Sequence, residues 1–332
     1  MRVPSSDILS VASVAQSDIG RVVVTGGCGF VGRSVVRAFV DRGIPVTVVD
    51  YRLPEGSAAE ILSHDLVTHV CGDLTDPAVR EDAVVPGTAG IVHLAAITSV
   101  LRSVDQPAET HANNVEVTQG LLELARQRGV GQFVFASTNA VVGDIGRSTI
   151  SEDLPLRPLT PYGATKAACE MLMSGYAGAY GIAASALRFT NIYGPGMGHK
   201  DSFVPRLMRA ALSGEGVEVY GDGAQSRDFV HIDDVVQGIM AAWDKQYVGE
   251  AVIGSGRSIS VLELIDAVRG ATGESLPVTH VPAKNGEMPA VIVNIDRARR
   301  ELGYTPAVSL SEGLSTVWQD FRESAVAVSG AT

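Results

Sequence analysis

Short runs rich in valine and isoleucine alternate along this chain with stretches whose apolar residues recur every three to four positions. RVVVTG (21–26) reads as a strand, GRSVVRAFVDRG (32–43) has helical spacing, and IPVTVVD (44–50) is again a strand. The cycle returns with strands at DLVTHVCGD (65–73), GIVHLAA (90–96) and GQFVFAST (131–138). Alternation of this kind predicts an α/β fold, a doubly wound parallel sheet covered by helices on both faces. Ligands of such sheets sit outside the carboxyl ends of the strands, so the residues just after each apolar run carry the most information.

The first of those places is VVVTGGCGFVG, residues 22–32. Gly26, Gly29 and Gly32 follow the first strand and open the first helix, with Phe30 and Val31 between the last two. Missing side chains there permit a tight turn, close approach of a pyrophosphate to backbone N–H groups, and close helix packing. The second strand ends in Asp50, eighteen residues past Gly32, where a carboxylate can accept hydrogen bonds from an adenosine ribose. The same charge repels a 2′-phosphate, which favours NAD over NADP; Tyr51 and Arg52 adjoin it, and the arginine argues the other way. A glycine-rich turn with no ligand is the alternative. Cys28, among the glycines, reads as a small residue that fits, without a basic neighbour to make it reactive.

A second constellation is TPYGATKAACE, 160–170. Thr160 can cap a helix whose first turn holds Pro161, and Tyr162 and Lys166, four apart, then share a face. A free tyrosine, with a pKa of about 10, is a poor base at neutral pH, but an ammonium roughly 4–6 Å away stabilises its phenolate. Thr138 ends the strand QFVFAS twenty-four residues earlier, where its hydroxyl can hold a reacting oxygen. The plainer alternatives are a solvated Tyr/Lys surface pair and a threonine serving as cap or turn residue.

Taken in order, TGGCGFVG, GDL (72–74), HLAA (93–96), NNV (113–115), STNAVVG (137–143) and YGATK (162–166) resemble the extended short-chain dehydrogenase/reductases, in particular the nucleotide-sugar epimerases and dehydratases. The resemblance runs over about residues 21 to 320. It implies a Rossmann-type sheet over 20–186, preceded by an arm at 1–19 and rejoined by the chain at about 228–254, with a smaller C-terminal α/β substrate lobe in the rest of 187–332. It implies catalysis by Thr138, Tyr162 and Lys166, with the last two also on the cofactor. Asp73 and Leu74 would lie at the adenine end of NAD, Leu94, Ala95 and Ala96 along its wall, and Asn114 nearby. His93 ends a buried strand and reads as a satisfied core residue. Helices around 105–128 and 160–181 resemble those that pair two subunits, which implies a homodimer.

The second half carries the substrate signature. LRFTNIYGP (187–195), VPRLM (204–208), VYGDGAQSRDFVHIDD (219–234) and NGEMPAVIVNIDRARRELGY (285–304) resemble the family's sugar-nucleotide segments. By that resemblance Asn191 and Arg227 hold the diphosphate and Tyr220 lies against the base, with Thr98, Val204, Lys284 and Val291 completing the substrate set alongside Thr138 and Tyr162. A guanidinium fork suits phosphate oxygens, although Arg227 followed by an aspartate also fits a surface ion pair. Lys284 stands where the family usually has arginine, and supplies charge without the fork.

Members of this group first oxidise the sugar at C4. The 4,6-dehydratases carry an Asp-Glu pair after the catalytic threonine, whereas this chain has Asn139 and Ala140. Without a carboxylate to pull the C5 proton, the ketone's remaining course is return of the hydride to its other face, which is 4-epimerisation of a nucleotide-diphosphate sugar. A 4-ketoreductase, dehydrogenase or dehydratase of the same family, and a non-catalytic dinucleotide sensor, are the alternatives. Val142 in place of the family's tyrosine, and Val291 where glucose-type epimerases place a bulky aromatic, suggest room for a C2-acetamido sugar.

Composition narrows the partners. With 26 basic residues against 37 acidic ones, a formal charge of −11, the chain is a poor match for nucleic acid. No apolar run nears eighteen residues, so no bilayer span is expected. Cys28, Cys71 and Cys169 are odd in number and far apart, which fits neither a disulfide framework nor a zinc site and points to a reducing cytoplasm.

Overall fold

The structure, a computed structural model, describes residues 20–52, 56–283 and 289–329; the arm expected at 1–19 and Lys284 lie outside the described residues. The strands are β1 (Val22–Thr25), β2 (Val46–Asp50), β3 (Val67–Cys71), β4 (Gly90–His93), β5 (Gln132–Thr138), β6 (Thr149–Ile150), β7 (Ala183–Phe189), β8 (Asn191–Tyr193), β9 (Val217–Tyr220), β10 (Ser226–His231), β11 (Gly249–Ile253), β12 (Ser258–Ser260), β13 (Val278–Val281) and β14 (Ile292–Val293). The helices are α1 (Phe30–Val40), α2 (Pro77–Ala83), α3 (Val100–Asp105), α4 (Pro107–His111), α5 (Val117–Arg128), α6 (Pro161–Tyr180), α7 (Phe203–Ser213), α8 (Ile232–Asp244), α9 (Val261–Thr272) and α10 (Leu310–Ser329).

Seven strands form one parallel sheet in the order β11-β7-β5-β4-β1-β2-β3. Strand order reverses between β1 and β4, which opens a crevice outside their carboxyl ends. β7 carries the chain across position 186 inside the sheet, and β11 brings it back after the excursion through β8 to β10.

Both faces of the sheet are covered, which is why its strands are apolar without alternation. Successive side chains still point to opposite sides. Val22 and Val24 join Val35, Val36 and Phe39 of α1 and Val235 and Ile239 of α8 in one apolar cluster, while Val23 faces Leu121 and Leu122 of α5 and Met173 of α6 in a second. A third cluster joins α7, α9 and α10 beside a small sheet of β12, β10 and β8. Phe39, fully buried, meets Trp243 edge-on at 5.0 Å between ring centres. Phe39→Ala is expected to cost about 3–5 kcal/mol by urea denaturation, the range for emptying such a site; a loss under about 1 kcal/mol would contradict this packing.

Candidate active site

The glycine turn is built with no room for side chains. Gly26 has φ +66°, a left-handed conformation that favours glycine, and a Cβ there would stand 2.9 Å from the Ala95 nitrogen. At Gly32 a Cβ would stand 2.1 Å from the Gly26 carbonyl oxygen, so α1 packs directly on the turn. Gly29 caps α1 with no side-chain hydrogen bond and no acid lies in the first turn, so the amides at Phe30, Val31 and Gly32 present the positive end of the helix.

Asp50 comes to the same place. Its Oδ2 accepts from the Cys28 amide at 3.1 Å and its Oδ1 from the Arg52 amide at 3.4 Å. Burial pushes its carboxyl up while those amides pull it down. Cys28 is pushed up to about 12, by burial and then by Asp50, so it holds its proton and is inert. Tyr51 is exposed, with the Arg52 guanidinium 5.1 Å over its ring. Asp73 accepts from the Thr75 amide at 2.8 Å, and buried Leu74 lends its carbonyl to Arg80.

On the other side of the crevice, Thr25 Oγ1 receives the Leu94 and Ala95 amides at 3.1 and 3.2 Å; Ala96 is half-buried and Thr98 exposed. His93 is the satisfied core residue expected, 2.6 Å from Thr25 Oγ1 and 3.1 Å from Thr118 Oγ1; burial pulls it down to about 3 and keeps it neutral. Asn114 sits in a π-turn over 112–116 and uses both ends of its amide on the frame. Its Oδ1 accepts from the Ile97 amide at 2.9 Å, and its Nδ2 donates to Ile97 O and to Thr165 Oγ1. The cradle that any Cβ would fill, the open helix end and the carboxylate at the second strand together fit a dinucleotide.

Thr138 at the end of β5 and Tyr162 in the first turn of α6 come together. Thr160 Oγ1 accepts from the Gly163 amide at 3.2 Å, capping α6 with Pro161 in its first turn. The Tyr162 phenol lies close enough to the Thr138 hydroxyl for the two to influence each other's protonation. Burial raises the phenol to about 12, with the threonine hydroxyl pulling the other way.

The Lys166 ammonium donates to the Ala136 carbonyl at 2.8 Å and lies 4.4 Å from the centre of the Phe135 ring. A fixed carbonyl and an aromatic face on β5 are what a buried ammonium needs when the alternative partner is an un-ionised phenol. Burial draws it down to about 8, opposed by Cys169 and Glu170. Holding the charge there penalises folding fully below about pH 8 and not at all above the unfolded value of 10.5. Lys166→Met is therefore expected to raise stability by about 1–3 kcal/mol at pH 7 and by little at pH 10.5. Denaturant melts at the two pH values check this; an equal change at both would contradict it.

A further carboxylate, not picked out in the sequence, stands one helical turn beyond. Glu170 lies past Lys166 on the same face and is fully buried; its Oε1 and Oε2 accept from Arg188 Nε and NH2 at 3.0 and 2.8 Å, and Oε1 also from Ser137 Oγ at 2.5 Å. The spacing Tyr162, Lys166, Glu170 was the available signal.

In the second lobe Asn191 Nδ2 donates to Asp228 O at 2.8 Å, and Arg227, 9% exposed, donates to Ser226 O at 2.8 Å. Asp228 accepts from Thr190, from the Ser255 amide and hydroxyl, and from the Arg257 amide, so its carboxylate pins loops together. Tyr220 borders a cavity of about 950 Å³ between α7 and β9, with Phe203, Arg206 and Leu207 on the facing wall. Val204 is buried in the core of this lobe, and Val142 and Val291 are both buried in the cluster that covers the sheet.

Known proteins share both the sequence and the fold. Residues 22–254 match the model of the NAD dependent epimerase/dehydratase family. A dTDP-glucose 4,6-dehydratase from Streptomyces griseus is 34% identical over 303 residues, 89% of this chain and 92% of that one. The UDP-glucose 4-epimerase of Thermotoga maritima, solved with UDP-glucose, is 31% identical with a TM-score of 0.86, covering 92% of this chain and 99% of that one. A UDP-glucose 4-epimerase of Thermus thermophilus, solved with NAD, is 31% identical with a TM-score of 0.83, covering 91% and 99%. The family match runs from β1 to just beyond β11, the whole of the seven-stranded sheet with its glycine cradle and its threonine-tyrosine pair, and the chain belongs to the NAD-dependent epimerase/dehydratase family.

Proposed function

We propose that this chain is an NAD-dependent epimerase that inverts C4 of a nucleotide-diphosphate sugar, a UDP-hexose or UDP-N-acetylhexosamine. The observation that carries this reading over dehydration is the pair of residues directly after Thr138. Asn139 is buried and donates to the Phe189 carbonyl at 3.4 Å, and Ala140 has no polar side chain. Neither position supplies a carboxylate to take the C5 proton, although relatives of both kinds match the chain.

Gly26, Gly29, Gly32 and the first amides of α1 would hold the cofactor's pyrophosphate and Asp50 its ribose, with Tyr51, Arg52, Asp73 and Leu74 toward the adenine and Leu94 to Ala96 along the wall. NAD held there would supply the hydride acceptor, and then the hydride donor, for C4. Thr138 holds the C4 hydroxyl and Tyr162 accepts its proton, passing it back once the new face has been reduced. A phenol raised to about 12 is a strong base in its ionised form and needs the threonine hydroxyl, and a cation brought near it, to work at neutral pH. Asn191 and Arg227 would hold the diphosphate and Tyr220 the base.

We also read the protein as a cytoplasmic homodimer. Its three cysteines are free thiols, and α6 leaves Met171 and Tyr180 exposed for a helix-pair contact. No helix among the described residues is long and apolar enough to cross a membrane.

The test is to incubate the purified protein with UDP-glucose, UDP-galactose and their N-acetylhexosamine counterparts and follow each anomeric proton by NMR. Conversion to the C4-inverted partner with no net change at the nicotinamide absorbance is expected. Release of a 4-keto-6-deoxy sugar would replace this reading with dehydration.

A further inference from the structure

A buried charge pair that the proposed chemistry does not use stands directly behind the reacting groups. Glu170 and Arg188 are 1% and 2% exposed. The glutamate takes both prongs of the guanidinium, at 3.0 and 2.8 Å, and also receives the Ser137 hydroxyl. These contacts join three elements at one level: Ser137 and Arg188 are register partners on β5 and β7, and Glu170 comes from α6. Ser137 precedes Thr138, and Glu170 lies one turn past Lys166, whose ammonium is bonded to Ala136 on the same strand. Helix α6 is thus fastened to the end of β5 through two consecutive strand residues.

Resting on the epimerase reading, we propose that Glu170 is a positioning residue: clamped by Arg188 and Ser137, it fixes the turn of α6 that carries Lys166 against the strand end that carries Thr138. Stability alone is a weak reason for such a pair, because well-packed apolar residues commonly replace a buried ion pair without loss. What apolar residues do not reproduce is direction. A bidentate carboxylate–guanidinium contact sets both distance and angle between helix and sheet, and a misplacement of about 1 Å at reacting groups can cost a hundredfold in rate. The carboxylate also supports the nearby ammonium electrostatically. The charged and titratable groups around Lys166 are Glu170 and Cys169 on its own helix and His93 from β4; Arg188 faces Glu170 from β7.

Glu170→Gln leaves the Arg188 charge buried without its counter-ion and is liable to misfold, so the deciding variant is the double replacement Glu170→Met with Arg188→Met, which removes both charges. Thermal melting establishes that it folds; Ser137→Ala, which keeps the ion pair and loses one donor, is measured beside it. For the double variant, kcat is expected to fall at least tenfold with KM changed less than threefold, and for Ser137→Ala about threefold. The sequence holds four lysines, so Lys166 can be followed separately by NMR titration of labelled lysine side chains. In the double variant its midpoint should move down. Turnover within twofold of wild type in both variants, or a Lys166 midpoint that does not move, overturns the proposal. If the wild-type chain inverts no nucleotide sugar, the functional reading fails, while the lysine titration still tests the clamp.

Discussion

Tyr162→Phe should still bind NAD and lose turnover by about 10²–10⁴-fold, the usual contribution of a positioned acid–base group. The prediction follows from geometry. The phenol stands beside Thr138, and Thr138 is held by the end of β5 with its Oγ1 accepting from the Ala140 amide at 3.2 Å. Removing one oxygen leaves the ring to fill the same space, so the fold and the glycine cradle are untouched. Steady-state rates by anomeric-proton NMR, with NAD affinity measured alongside, separate chemistry from binding. Full activity in this variant would mean that another group moves the C4 proton, and the assignment of Thr138 and Tyr162 would have to be abandoned.

Gly32→Ala is the second large effect, and it acts at the opposite end of the site. A single methyl would stand 2.1 Å from the Gly26 carbonyl oxygen and push α1 off its turn, and neither backbone can yield without moving the cradle. The expected result is a loss of about 1–3 kcal/mol in stability and at least a tenfold loss in NAD affinity, read by denaturant melts and by fluorescence titration with NAD. Gly175→Ala is the control. It lies in α6 with nothing within 4 Å of the added methyl, so the helix propensity of alanine should stabilise by about 0.5–1 kcal/mol. Equal behaviour of the two variants would show that helix propensity, rather than the cradle, governs Gly32.

Much of this arrangement was legible along the chain because it rests on local rules. Valine runs make strands whose partners are interchangeable, glycine spacing marks where a backbone must come close, and Thr160 with Pro161 marks where α6 begins. Asp50 could be placed because a strand's end is visible in its pattern. The direction of Lys166 could not. Helical spacing puts it beside Tyr162, but its ammonium chooses between a phenol on its own helix and a carbonyl and ring on β5, and that choice exists only once the helix lies on the sheet. Arg188 and Glu170 are likewise eighteen residues apart in separate elements, with nothing in the spacing to pair them. Val142 and Val291 pack into the cluster that covers the sheet and Val204 into that of the second lobe, a burial set by residues far away in the sequence.

The sequence by itself determined the element order, the glycine turn and the chemistry of the threonine, tyrosine and lysine, since each depends on residue type and on neighbours a few positions away. The tertiary structure decided where the strand order reverses, which partner the buried lysine takes and which carboxylate stands behind it. Those outcomes are set by competition among distant groups for contacts in a dry interior, where every charge must find a partner.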